Sequence, residues 1–134
     1  MPTSADAGLY LDASALVKLV VPEPETGALT SFVRRPGVLA SSALSQVEVV
    51  RAVRPHGAAA VAAGRRLLAC LDLVQLDDEL LDLAAEIDPP LRSLDAIHVA
   101  SALELGDALV ALVTYDAQMT RAATALGLPV AAPR

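Results

Sequence analysis

The chain has 134 residues, enough for one domain with a substantial core. It is 54% hydrophobic but only 2% aromatic, so Ala, Val and Leu must fill that core. No apolar run reaches the roughly 18 uninterrupted residues a membrane helix needs, and a formal charge of −6 weighs against a broadly nucleic-acid-coating surface.

A single domain across residues 1–134 is the simplest organisation, with no internal repeat or linker. The opening Met-Pro-Thr-Ser-Ala-Asp-Ala-Gly lacks the basic and apolar regions of a signal peptide. The lone Cys70 excludes an intramolecular disulfide framework, and together these features predict a cytoplasmic protein. Cys70 itself reads as a small buried hydrophobe in a helix.

Residues 8–11 read as a short buried strand. Asp12 or Ser14 then caps a helix to about Val20, which Pro22 and Pro24 terminate. Glu25 to Arg35 suits a second helix, and Pro36-Gly37 a turn. Val38 to Ala40 predicts a strand leading into a helix from about Ser42 to Val53, broken by Pro55-His56-Gly57. Ala58 to Leu71 is strongly helical by propensity. Leu73 to Leu76 suits a strand, and Asp77-Asp78-Glu79 opens a helix where the dipole favours negative charge. Pro89-Pro90 ends it. Ser93 caps a helix from Leu94 to about Leu105, closed by Gly106. Ala108 to Thr114 is the clearest strand, Ala117 to Leu126 a helix, and Pro129 to Ala132 a last short strand. Strands alternating with helices predict an α/β fold with a largely parallel sheet.

Four acids keep unusually apolar company. Asp12 and Asp116 each follow a predicted strand, at the end of a parallel sheet where ligands bind. Glu48 and Asp95 lie in mostly apolar helices, Asp95 in a first turn that points back to that edge. Ser14 and Thr114, two positions from Asp12 and Asp116, are placed to orient the carboxylates or bound water. Each acid also has a plain structural reading. Asp12 and Asp116 suit helix N-caps, Glu48 suits a capping box with Ser45 or a pair with Arg51, and Asp95 has Arg92 nearby. Taken together, the four resist that reading. Two carboxylates about 4 Å apart repel by roughly 4 kcal/mol at an effective dielectric near 20, so a cluster calls for a cation. All-oxygen ligation suits Mg²⁺ or Mn²⁺ rather than zinc, and that chemistry points to phosphodiester hydrolysis.

Setting the four acids aside leaves 12 acids against 10 bases, and nine of the ten bases are Arg, the side chain best suited to phosphate. The charge therefore leaves a nucleic-acid substrate open. His98, one turn after Asp95, reads as a packed structural histidine; His56 reads as exposed. Lys18, the only lysine, reads as part of a solvated face.

The ordered segments Tyr10-Leu11-Asp12-Ala13-Ser14-Ala15-Leu16-Val17-Lys18, Ser45-Gln46-Val47-Glu48, Leu94-Asp95-Ala96-Ile97-His98-Val99-Ala100-Ser101-Ala102 and Val113-Thr114-Tyr115-Asp116 resemble PIN-domain ribonucleases. The likeness is greatest to the VapC toxins of bacterial toxin–antitoxin pairs and runs from about residue 9 to 130. It implies a three-layer α/β/α sandwich with a central parallel sheet of about five strands, and a homodimer. It implies Mg²⁺- or Mn²⁺-dependent endoribonuclease activity, with Asp12 and Asp95 as principal metal ligands and Glu48 and Asp116 completing the pocket. Ser14 and Thr114 would support them. A VapB-type antitoxin would fill a groove with its C-terminal segment and place a basic side chain at the carboxylates. The one departure is several extra residues before the first strand.

Arg51, Arg54 and Arg92 are the candidates for RNA backbone contacts, and the scarcity of aromatics argues against base stacking as the main recognition device. The alternative is a PIN-like fold that binds RNA or protein without cleaving. A phosphoacceptor receiver domain would need a lysine after a late strand, and a haloacid-dehalogenase-type phosphatase an acid where Ser14 stands; neither pattern is met.

Overall fold

A computed structural model describes residues 7–88 and 90–134. The extra residues ahead of the first strand fall largely outside that range. β1 (Gly8–Leu11), β2 (Val38–Ser42), β3 (Asp72–Val74), β4 (Leu109–Val113) and β5 (Val130–Ala131) form one sheet in the order β3-β2-β1-β4-β5. Every pairing is parallel. The strands predicted from apolar runs and turn residues are therefore present, with β3 shifted to begin at Asp72.

Alternation along β1 sets the layers, because successive side chains leave a strand on opposite faces. Leu9 and Leu11 pack into one core with α1 (Ala13–Val20), α2 (Thr26–Val33), α3 (Ser45–Val53) and α4 (Ala58–Ala69). Tyr10 faces the other way, into a core with α6 (Ser93–Leu103) and α7 (Ala117–Ala125). α5 (Asp78–Ala85) packs on α6 through Leu80, Ala84, Ala96 and Ala100. The result is the expected α/β/α sandwich, with β1 buried on both faces. No helix among the described residues is long and apolar enough to cross a membrane.

Some local expectations change. α3 starts at Ser45 with Leu44 as its cap residue and no side-chain cap bond, so Ser45 and Glu48 form no capping box. The Ser45 hydroxyl instead pairs with Ser41 Oγ at 2.7 Å, while Ser41 donates to the Leu11 carbonyl at 2.6 Å. Ser93 is the first residue of α6 and makes no side-chain cap; Arg92 occupies the cap position. Cys70 is exposed at the end of α4, not buried. It follows the last helical turn, between the core residues Leu68 and Leu71, and faces outward.

The strand order fixes the site. β1 has β2 on one side and β4 on the other, so the connections leaving the carboxyl ends of β1 and β4 diverge and open a crevice. Asp12 directly follows β1, and Thr114, Tyr115 and Asp116 follow β4.

Candidate active site

Asp12 is almost fully buried, with 3% of its surface exposed. Its extended backbone makes it the N-cap of α1, where Oδ1 accepts from the Ala15 amide at 3.0 Å and from Ser14 Oγ at 2.6 Å. Oδ2 accepts from Thr114 Oγ1 at 2.5 Å. Burial raises the Asp12 pKa, and the Ser14, Thr114 and Ala15 hydrogen bonds oppose that rise.

The same two hydroxyls bind the second loop. The Asp116 amide donates to Thr114 Oγ1 at 3.1 Å, and the Tyr115 amide to Ser14 Oγ at 3.3 Å. Asp116 is the N-cap of α7, with Oδ1 accepting from the Met119 amide at 2.8 Å. The capping readings of Asp12 and Asp116 are thus correct, yet each carboxylate keeps acceptor capacity beyond the cap.

Arg92 joins two more of the acids. Its Nε donates to Asp95 Oδ2 at 3.1 Å, and its Nη2 lies 3.7 Å from Asp116 Oδ2. Glu48 reaches none of these groups. Its Oε1 meets His98 Nε2 at 2.6 Å, so the pair with Arg51 does not form. His98 is buried, as expected, and its Nδ1 lies 2.8 Å from the Tyr10 hydroxyl. Lys18 is not on a solvated face. It sits against Glu25 at 3.1 Å and Glu23 at 3.4 Å, with its ammonium 4.9 Å from the Tyr115 ring centre. A depression of about 510 Å³ is lined by Ser14, Lys18, Glu48, Tyr115 and Asp116 among others.

Asp12, Asp116 and Asp95 are therefore linked in turn through Thr114 and Arg92 at one edge of the sheet, and Glu48 lines the same depression as Asp116. They do not form a closed cage: among the described residues no three acidic, histidine or cysteine side chains are spaced to grip an ion together. Their chemistry fits Mg²⁺ or Mn²⁺ all the same. Mg²⁺ characteristically uses one or two carboxylates and keeps several waters, and Asp95 and Asp116 already accommodate a cationic group in Arg92.

The sequence singles out the four acids, Ser14 and Thr114, which the fold brings near one sheet edge, but not Tyr10 or the His98–Glu48 bond. The available signal for Tyr10 was its place between Leu9 and Leu11, a polar-tipped side chain facing the opposite layer. Arg92 was visible three residues before Asp95, whereas its reach to Asp116 depends on tertiary contact.

The PIN domain family model matches residues 9–125. The chain belongs to the PIN-domain family. Among its VapC relatives, Ribonuclease VapC46 of Mycobacterium tuberculosis (strain ATCC 25618 / H37Rv) is 51% identical over 128 residues, spanning 95% of this chain and 98% of the relative. Ribonuclease VapC35 of the same species is 43% identical over 130 residues, spanning 93% and 96%. By fold, this PIN domain superimposes on M. tuberculosis VapC20, described as a sarcin-ricin loop cleaving toxin, with a TM-score of 0.70 and 18% identity over 85% of this chain and 94% of that one. VapBC-1 from nontypeable Haemophilus influenzae gives a TM-score of 0.67 at 15% identity, covering 92% and 96%. At those identities the structures speak for the PIN fold alone, while the close VapC relatives place the chain among ribonucleases.

Proposed function

We propose that this protein is the divalent-metal-dependent endoribonuclease of a toxin–antitoxin pair, hydrolysing RNA phosphodiester bonds and held in check by a VapB-type antitoxin. The observation that carries the reading is Asp12, fixed by Ser14 and Thr114 at the switch point of the sheet, with Asp116 on the adjoining strand end. Asp12 and Asp95 are the principal metal ligands in this proposal, and Glu48 and Asp116 complete the pocket, in part through water. Mg²⁺ or Mn²⁺ there would supply charge neutralisation at the phosphate and a more acidic water.

The chain's own groups do the rest. Ser14 and Thr114 hold both Asp12 oxygens in place, so the carboxylate does not have to reorganise. Arg92, with 74% of its side chain exposed, can leave the acids to meet a phosphate oxygen. Beyond the depression, residues 49–71 carry Arg51, Arg54, Arg65 and Arg66 and no acid, whereas residues 72–88 carry seven acids and no base. All four arginines are exposed, and Arg54, Arg65 and Arg66 line a hollow of about 730 Å³. α3 connects the two regions, since Glu48 and Ala52 line the acidic depression and Arg54 follows directly. That surface suits an RNA backbone leaving the site. A homodimer is part of the proposal, and Leu81 on α5 and Leu94 on α6 are exposed apolar side chains available to it.

The deciding experiment incubates total cellular RNA with purified protein, with and without Mg²⁺, beside Asp12→Ala. Cleavage that needs both Mg²⁺ and Asp12 is expected. Equal cutting by both proteins would mean a contaminating nuclease, and RNA binding without cleavage would favour a silent binding module.

A further inference from the structure

We infer that His98, backed by Tyr10, is a positioning residue that holds the Glu48 carboxylate in the acidic site, the ring donating from Nε2 and accepting at Nδ1. This rests on the metal-site reading above and extends it to two groups outside the four acids.

The protonation pattern follows from what surrounds the ring. A carboxylate only accepts, so the 2.6 Å contact with Glu48 Oε1 requires the proton on Nε2. With the proton on Nδ1 instead, two lone pairs would face each other at that distance. With the proton on Nε2, Nδ1 is the ring atom left to accept, and the Tyr10 hydroxyl lies 2.8 Å from it. Tyr10 is fully buried, and an ordinary phenol holds its proton until about pH 10, so the hydroxyl donates it. The two rings meet edge to face, with centres 6.0 Å apart and planes at 71°, which fixes the imidazole plane.

The architecture explains why such a device is needed. Glu48 stands on α3, on one side of the sheet, while Asp95 stands on α6, on the other. Glu48 has three rotatable side-chain bonds and an exposed Arg51 one turn along its own helix. Left to itself it would sample solvent and that arginine. The bond to His98 draws it across to α6, three residues on from Asp95, so Glu48 and Asp95 are referred to one rigid helix. Tyr10 comes from β1, two residues before Asp12, so the same strand sets the imidazole and the first acid. Strand, ring and carboxylate thus form a buried line ending at the depression.

Two measurements test this. Imidazole ¹H–¹⁵N spectra of the metal-free protein should show His98 protonated at Nε2 and bare at Nδ1, with the Nε2 signal displaced in Glu48→Gln and the Nδ1 signal in Tyr10→Phe. Calorimetric Mn²⁺ titration should show affinity about 10- to 100-fold weaker in His98→Leu, the usual effect of removing a partner of a ligating group. His98→Gln, which retains an N–H near the Nε2 position, should recover most of that loss. Should His98→Leu fail to fold, Mn²⁺ titration of Tyr10→Phe, expected to bind more weakly than wild type, and the wild-type spectrum still decide. A proton on Nδ1, or wild-type Mn²⁺ affinity in His98→Leu, would overturn the inference. Wild-type protein that binds no Mn²⁺, with the ring protonated at Nε2 as described, would overturn the metal site and leave the hydrogen-bond line standing.

Discussion

Thr114 donates its hydroxyl to Asp12 Oδ2 at 2.5 Å, across 102 positions of sequence. Both groups are buried, and Thr114 Oγ1 in turn accepts the Asp116 amide. One side chain therefore sets the spacing between the loops after β1 and β4. Replacing it by Val keeps the shape and removes the hydroxyl, leaving a buried carboxylate oxygen without its donor. Thr114→Val should lose about 1–3 kcal/mol of stability in urea unfolding, and RNA cleavage should fall with it. Thr114→Ser should keep most of both.

Asp12 itself should make the metal-free protein less stable as pH rises. Burial lifts its folded pKa above the ordinary 3.8, so between those values the native state binds more protons than the unfolded chain. Stability then declines as pH climbs from about the ordinary value through the raised folded one. Asp12→Asn removes this titration while its side-chain oxygen can still cap α1. In EDTA at neutral pH the Asn variant should melt at least as high as wild type, with that relative advantage shrinking toward acid pH. Mn²⁺ should raise the wild-type melting temperature and leave the variant's almost unmoved. A wild type more stable than the variant in EDTA at neutral pH contradicts the argument.

The sheet and the acids were legible because they rest on local signals. Apolar runs ended by Asp12 and Asp116 mark strand ends, and parallel-sheet logic places those ends together. What was not legible depends on which distant side chain arrives. Glu48 had two partners within its own helix by spacing, Ser45 and Arg51, yet both lost to His98, fifty residues away. Lys18 looked solvated by position alone, but Glu23 and Glu25, in and just after the Pro22–Pro24 turn, come back against it. Cys70 was misplaced because composition says a cysteine prefers burial, while its helix ends just before it.

Arg92 is expected to compete with metal. Its guanidinium rests on Asp95 and Asp116 but is mostly exposed, and exposed ion pairs contribute only about 0–1 kcal/mol. Arg92→Ala should therefore leave the melting temperature nearly unchanged. Removing a positive charge about 4 Å from the carboxylates should strengthen cation binding by about 1 kcal/mol in a water-like dielectric, close to five-fold. Calorimetry should show that gain in Mn²⁺ affinity, while KM for RNA rises because a phosphate contact is gone. Unchanged Mn²⁺ affinity would show that Arg92 is not a competitor.

The arginines of residues 49–71 lead to a prediction about salt. If Arg54, Arg65 and Arg66 follow an RNA backbone, each neutralises one phosphate and releases its counterion on binding. RNA affinity of the inactive Asp12→Ala protein should fall steeply as salt rises. Arg54→Gln, Arg65→Gln and Arg66→Gln should each flatten the slope of log affinity against log salt by about 1. Arg121→Gln, an exposed change on α7 outside that segment, serves as the control and should not alter it. The three changes should weaken all RNA sequences alike, because backbone contacts carry no base information. Variants that keep the wild-type slope but no longer bind a VapB-type antitoxin peptide would reassign the hollow to the protein partner.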